Sequence, residues 1–450
     1  MLDPIKTQDQ PKRFLPLSLK IIAAHILVIL AILIPVGIHE NRQAERDWAQ
    51  FKTQGETKGE IFELKKLIPP TLPNDENFAA SPIITELFDD PNNNRISQLK
   101  FYNFSAFKEI PISSDTKSRH KKMALAAPEL QLKDYFDSNG KKLSEQEAAE
   151  RMLQAYAPYS KIFSEVALAS NKTGASYPFN YDEISFATPF THLTGIHTIS
   201  KALWLRSRAY LDLAQNKAAS EDIITILQLA NMSGEEAVVI SHLVEITVYQ
   251  LALSSIWQAL ESQQLSNSQL VRIENILKRT HLEQQFFKAI RNERAFFLSS
   301  LDSMITSSES YMNSEPSLER MILLIRLTGM EKAFIYRNKL NYCQFIQDHY
   351  LNNTSDPNSN KINIDALTRV ESDLLTLNES TILPFNPNTV FTKRSVGAFK
   401  GIAERTLQIS ARIDLARVAI ALELYRREHD SYPDSLSPLA PSYIDALPPD

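Results

Sequence analysis

The stretch FTHLTGIHTISKALWLRSRAYLDLAQNKAASEDIITILQLANMSGEEAVVISHLVEITVYQLALSSIWQALE, Phe190 to Glu261, decides the fold. It contains no proline, and the proline-free run continues to Glu315. The whole chain of 450 residues carries only ten glycines, far below the usual share of about 7%. Strands joined by tight hairpins need those turn residues, and long helices do not. Ile196, Ile199, Leu203, Tyr210 and Ala214 fall on one helical stripe, and Val239, Leu243, Ile246, Leu253 and Ile256 on another, as amphipathic helices facing a shared core require. With breaks at Asn216 and from Asn231 to Gly234, the pattern predicts helices over 192–215, 218–231 and 235–262.

The signals continue on both sides. Ser144 followed by Glu147 is a capping box opening a helix to Tyr156, and Pro158 suits the first turn of the next. Ser266 with Gln269 repeats the box ahead of a helix over 267–279. Residues 281–300 carry Phe286 with Phe287 and Phe296 with Phe297, a spacing that reads as core rather than as a cofactor box. Further helices are predicted over 318–350, 364–377 and 395–427. Two regions depart from the pattern. Leu67 to Pro128 holds Pro69, Pro70, Pro73, Pro82, Pro91, Pro111 and Pro128 among Asn and Asp clusters, and reads as an irregular stalk or clasp with short elements at most. Residues 352–360, NNTSDPNSN, form a polar low-complexity loop.

At the N-terminus, IIAAHILVILAILIPVGI, Ile21 to Ile38, is apolar on every face except at His25. Its 18 residues cover roughly 27 Å as a helix, close to the hydrocarbon thickness of about 30 Å. No small-residue cleavage site follows it, so an uncleaved signal anchor is expected rather than a removed signal peptide. His25, one turn into the span, is expected to reach the headgroup layer rather than to relay protons. Lys12, Arg13 and Lys20 precede the run, whereas Arg42 and Arg46 after it are diluted by Glu40, Glu45 and Asp47. This bias places the N-terminus in the cytoplasm and the bulk of the chain outside it, in the periplasm of a bacterial inner membrane.

The expected fold class is therefore mostly α: one N-terminal transmembrane helix, then a multi-helix, hairpin-built soluble domain with an irregular Pro-rich segment. The expected organisation is a short basic segment (1–18), the anchor (19–38), a membrane-proximal helix and stalk (39–135), a helical domain (136–380), and a long helix with a C-terminal YPDSL clasp (381–450).

The sequence lacks a G-x-x-x-x-G-K-[ST] phosphate loop, G-x-G-x-x-G, a G-x-S-x-G elbow and H-E-x-x-H. Its single cysteine, Cys343, excludes an internal disulfide framework and a thiolate-rich metal site. His242 and Glu245, three apart on a helix, are the one pair placed to share a metal, although helices make such pairs routinely as surface or core contacts. His192 and His197 lie about 140° apart around a helix axis and share no face. No metal, cofactor or catalytic set is assigned. A net charge of −5 gives no polybasic footprint, so nucleic acid is not an expected partner.

The C-terminal segment ALELYRREHDSYPDSLSPLAPSYIDALPPD, Ala421 to Asp450, resembles a segment of type II secretion pseudopilins and, more closely, large uncharacterised single-pass membrane proteins of planctomycete and verrucomicrobial type. Those proteins carry, after the anchor, a tryptophan, a G-E pair, paired prolines and an N-F. Trp48, Gly59 with Glu60, Pro69 with Pro70, and Asn77 with Phe78 follow in that order. The pseudopilin leader, cleavage point and helix glutamate are absent from residues 14–38, so pilin-like processing is not expected. Resembling proteins continue past the tail, so a fragment or truncated end at Asp450 is expected. Physically, the segment reads as a helix, a turn near His429 and an anchored extension. Tyr425 and Tyr432 pack on the helix, Pro433 blocks its continuation, and Ser435 caps a turn leading Leu436 and Leu439 inward.

The resemblance implies no activity. The expected function is a membrane-anchored envelope scaffold or binding protein whose partners are the lipid bilayer and unidentified proteins. The alternatives are an envelope hydrolase with a nonstandard site and a tetratricopeptide-like helical adaptor. The latter is suggested by ALWLRSRAYLDLAQNKAASEDIITILQLA, although no second copy at a fixed period is evident.

Overall fold

The structure, a computed structural model, describes residues 17–92, 94–101, 143–181, 184–186, 188–236, 238–306, 323, 325–352, 361–377 and 387–448. Lys12, Arg13, Leu15, Pro111, Pro128, nearly all of the 352–360 loop, the start of the helix expected over 318–350, and Asp450 lie outside the described residues.

Among the described residues the chain is mostly helical, with no strand, and Asn77 forms an isolated bridge with Gly174. The helices are α1 (Leu17–Thr57), α2 (Leu64–Leu67), α3 (Pro82–Asp89), α4 (Glu145–Tyr156), α5 (Ser160–Ser170), α6 (Thr191–Asp212), α7 (Asn216–Gly234), α8 (Val239–Glu261), α9 (Asn267–Leu277), α10 (Leu282–Thr306), α11 (Glu331–Ile346), α12 (Ile364–Thr376) and α13 (Val390–His429). Both capping boxes form, at Ser144–Glu147 and Ser266–Gln269. Asn363 caps α12 by accepting from the Ala366 amide.

With so little glycine, helix ends fall elsewhere than the break residues suggest. α6 stops at Asp212, and Ala214 turns the chain with φ 56°, a left-handed conformation that a Cβ makes costly by about 1–2 kcal/mol. Asn216 therefore begins α7 instead of sitting in the gap, and its side-chain amide donates to the Gln264 carbonyl. Gln263 after α8 and Asp430 after α13 are left-handed too. α1 ends more cheaply, on Gly59 with φ 86° and the Glu60 amide bonded back to the Gly55 carbonyl.

The chain forms two compact units. The first comprises Met1–Glu60, Leu301–Tyr342 and Asn378–Thr392. In it Asp47 pairs with Arg337 at 2.8 Å, and the buried Asn338 side chain donates to the carbonyls of Phe334 and Pro387. Trp48 is buried, stacked on Phe51, with the Lys339 ammonium 5.8 Å from its ring.

The second unit comprises Ile61–Ser300, Cys343–Leu377 and Lys393–Asp450. At its centre α6, α7 and α8 each pack on the other two; α4 covers α6, while α5 and α9 cover α7. The sequence stripes face this core, with Ile196, Ile199, Leu203, Ile246, Leu253 and Ile256 all buried. Phe286, Phe287, Phe296 and Phe297 are buried as well. The proline-rich stretch supplies core in its described part: Phe78, Ile83, Ile84, Leu87, Ile96 and Leu99 all join the main cluster. Pro82 is the first residue of α3, where its missing N–H costs nothing. Just before it, the Asn77 carboxamide oxygen accepts from the Ala79 and Ser176 amides, and its NH2 donates to the Ser176 carbonyl.

By length and composition one described helix, α8, is long and apolar enough to cross a membrane. Most of its apolar window is buried inside the fold, and a helix packed on nearly all sides is expected to be apolar nearly all round.

Gly195 marks where α3 meets α6, since a Cβ there would lie 2.4 Å from Leu87 Cδ2. Gly195→Ala should cost about 1–3 kcal/mol in denaturant unfolding through overpacking. Gly401→Ala, on an exposed face of α13 with nothing within 4 Å, should instead stabilise by up to about 1 kcal/mol. Equal effects would show that the α3–α6 contact is absent.

Candidate functional site

The polar groups with the greatest chemical potential lie inside the second unit, around the link from α7 to α8. His242 and Glu245, on successive turns of α8, are almost wholly buried, with Nδ1 2.8 Å from Oε2. His242 Nε2 lies 2.9 Å from the Thr406 hydroxyl on α13, and that hydroxyl donates to the Ile402 carbonyl. Thr406 therefore accepts from Nε2–H, and the bond between Nδ1 and Oε2 carries one further proton, leaving the pair net neutral. Burial pushes the Glu245 carboxyl up, against the downward pull of its bond to His242. The room for this carboxyl comes from Gly234, where a Cβ would fall 2.5 Å from Glu245 Cδ. Both imidazole nitrogens are thus committed, and neither offers a lone pair to a metal.

A second pair was not legible in the sequence. His192 on α6 meets Glu236, just after α7, with Nε2 2.8 Å from Oε2 and both side chains fully buried. Phe88 stacks on the imidazole at 4.7 Å between centroids, and Tyr177 and Phe179 close the other sides. Tyr177 donates to the Met232 carbonyl, and its phenol is held well above its ordinary value by burial and then by Glu236 and Glu235. His197, which the helical angle separates from His192, is half-buried on another face of α6. Burial and then Lys201 lower its pKa. Among the described residues no group of three or more His, Cys, Asp or Glu side chains is placed to hold a metal ion.

Two further polar groups pin helices. The Arg206 guanidinium grips Asp222 with two bonds, at 2.8 and 2.6 Å, and lies 3.7 Å over the Phe163 ring. Asp212, at the end of α6, accepts from Gln258, and burial pushes its carboxyl up to about 6. Cys343 is fully buried. His25 on α1 donates from Nδ1 to the Ile21 carbonyl at 2.7 Å, satisfying that nitrogen within the helix.

The C-terminal segment folds back on α13 through part of the expected set, Tyr425 and Leu439, but not through Leu436, and Tyr432 stays half-exposed. Leu439 and Ile444 are buried against Ala421, whereas Tyr432 and Leu436 are 54% and 44% exposed. The turn at Ser437–Leu439 begins after Leu436, with no side-chain cap from Ser435. Tyr425 does pack, stacked on His429 at 4.0 Å and edge-on to Tyr443. The correction has a plain cause: the direction of an irregular segment is set by what it lands on, which its own sequence does not contain.

The clasp is tied by charge as well. Buried Glu423 accepts from Arg426 and Arg427, and Arg427 also donates to the Leu265 and Gln263 carbonyls after α8. Between α9, the end of α13 and the clasp lies a cleft of about 530 Å³. Its charges are largely spent on one another: Lys278 pairs with Asp445 at 2.6 Å, Glu274 with Arg417 at 3.1 Å, and Tyr443 donates to Glu428.

No family model matches this chain, and no curated protein or solved structure matches it.

Two outcomes follow from the clasp geometry. Leu439→Ala should destabilise by about 2–5 kcal/mol, while Leu436→Ala should leave the melting temperature nearly unchanged; the reverse ranking would return the anchor to Leu436. Hydrogen bonding to Arg426 holds the Glu423 carboxyl below its ordinary 4.5. Its contribution is therefore present above about pH 4.5 and lost as pH falls through the lower, folded value. Glu423→Gln should be less stable than wild type at neutral pH, with the gap closing in more acid solution. A gap that stays constant with pH would mean the carboxylate charge plays no part.

Proposed function

We propose that this chain is a membrane-anchored scaffold or binding protein of the bacterial envelope, held by residues 19–38 with the bulk of the chain outside the cytoplasm. The observation that carries the reading is the state of α1. The helix continues unbroken from Leu17 to Thr57, through the apolar run and through Pro35. Ile21, Ile34, Val36 and Ile38 on it are 44–54% exposed. Apolar side chains spread around a helix and left uncovered by the fold suit hydrocarbon, where a proline is also tolerated. The resemblance to single-pass membrane proteins accords with this reading. So does the way polar side chains in the helical core are committed to joining helices.

Alkaline phosphatase fused after residue 450 should be active in a bacterial host, and the chain should stay in the membrane pellet at alkaline pH. Deletion of residues 19–38 should release it. An inactive fusion with an active cytoplasmic reporter at the same point would reverse the orientation, and release of the intact chain by alkali would sink the anchor.

A further inference from the structure

The first unit carries a second apolar surface beside the end of the 21–38 run. Residues 325–328 are helical and turn through Gly329, with φ 66°, toward α11. Leu323 and Leu327 are 58% and 70% exposed, Leu327 being among the most exposed large apolar side chains described. Ile34 and Ile38 on α1 are 54% and 48% exposed, and their spacing of four puts them on one helix face.

Three contacts fix the chain from Thr328 to Ala333, the end of this segment and the start of α11, to α1. Gly37 is buried against it, and a Cβ there would meet the Thr328 carbonyl oxygen at 3.0 Å. The Asn41 side chain donates to the Gly329 carbonyl and accepts from the Ala333 amide, both at 2.7 Å. Leu327 therefore sits beside the residues where the apolar run gives way to charge. Arg326, Lys332, His39 and Arg42 are all exposed around this point, with Glu331 3.7 Å from Arg326.

We propose that Leu323 and Leu327 form an interfacial membrane contact, seated at the boundary between headgroups and acyl chains. The inference rests on the anchor reading. If α1 crosses the bilayer at 21–38, the contacts at Gly37 and Asn41 carry Leu327 to the membrane surface, and the exposed charges around it meet headgroups. Exposed apolar side chains flanked by basic residues are the chemistry of interfacial elements. The occupant of the face is lipid, because the surface is continuous with the part of α1 that lipid covers.

The test is nitroxide labelling of the full chain in phosphatidylcholine vesicles, at Leu327→Cys, Ile34→Cys and, as an aqueous control, Leu415→Cys on α13. Leu415 is 59% exposed, and Cys343 is fully buried, so the unsubstituted chain gives the labelling background. The readout is collision with oxygen, which concentrates in lipid, against collision with a nickel chelate, which stays in water. The expected result is a shift toward oxygen at 34 and 327 and toward nickel at 415. A lipid signal at 34 with an aqueous signal at 327 overturns the inference and leaves the anchor standing. Aqueous signals at both overturn the anchor and the inference together. Protection of 327 from both reagents means that protein covers the face, a second copy of the chain included, and overturns the lipid assignment.

Discussion

Helix α8 is apolar nearly all round and packs at the centre of the second unit, yet it carries a histidine and a glutamate on its buried side. Removing two ionisable groups from water costs several kcal/mol per charge unless their partners are well placed. The surroundings meet that demand in detail. One proton lies between His242 and Glu245, Thr406 accepts from the far nitrogen, and Gly234 leaves the space a Cβ would have filled. Each condition binds a different element to α8: α7 must bring a glycine alongside Glu245, and α13 must bring a threonine. The registers of α7, α8 and α13 are thus tied through one hydrogen-bonded pair. Residues 163 to 222 repeat the solution on a smaller scale, where Arg206, Asp222 and Phe163 join α5, α6 and α7.

What could be read in advance was whatever is local. Capping boxes at Ser144 and Ser266 are decided within four residues, and both form. The helical stripes needed only the period of 3.6. Helix ends were harder, because Ala214 and Gln263 adopt a conformation that sequence reasoning reserves for glycine and asparagine. Pro82 shows a different ambiguity, since a proline among Asn and Asp residues marks a loop and the first residue of a helix equally well. The His242–Glu245 contact was legible from its spacing, but Thr406, 164 positions away, was not. The His192–Glu236 pair joins residues 44 apart with no periodic relation, and only the fold brings them together.

The helical pairs also bear on the adaptor alternative. α6 with α7 runs from Thr191 to Gly234, and α8 with α9 from Val239 to Leu277. Both exceed the tetratricopeptide period of about 34 residues, and their lengths differ from each other. Side chains that differ from helix to helix tie them together. A solenoid built from equal units would repeat its contacts, whereas here each junction has its own chemistry.

Burying the ionisable pairs also decides how far dissolved salt can reach them. Mobile ions screen charges at the surface within about 8 Å at physiological strength and scarcely reach pairs in the interior. Exposed pairs such as Arg272 with Glu221, each about half accessible, are the ones salt can loosen, and such pairs contribute only about 0–1 kcal/mol each. The three interior pairs, His242 with Glu245, His192 with Glu236 and Arg206 with Asp222, lie largely out of reach of those ions. Helix register held by interior pairs of this kind is therefore expected to be far less sensitive to ionic strength than the surface pairs are.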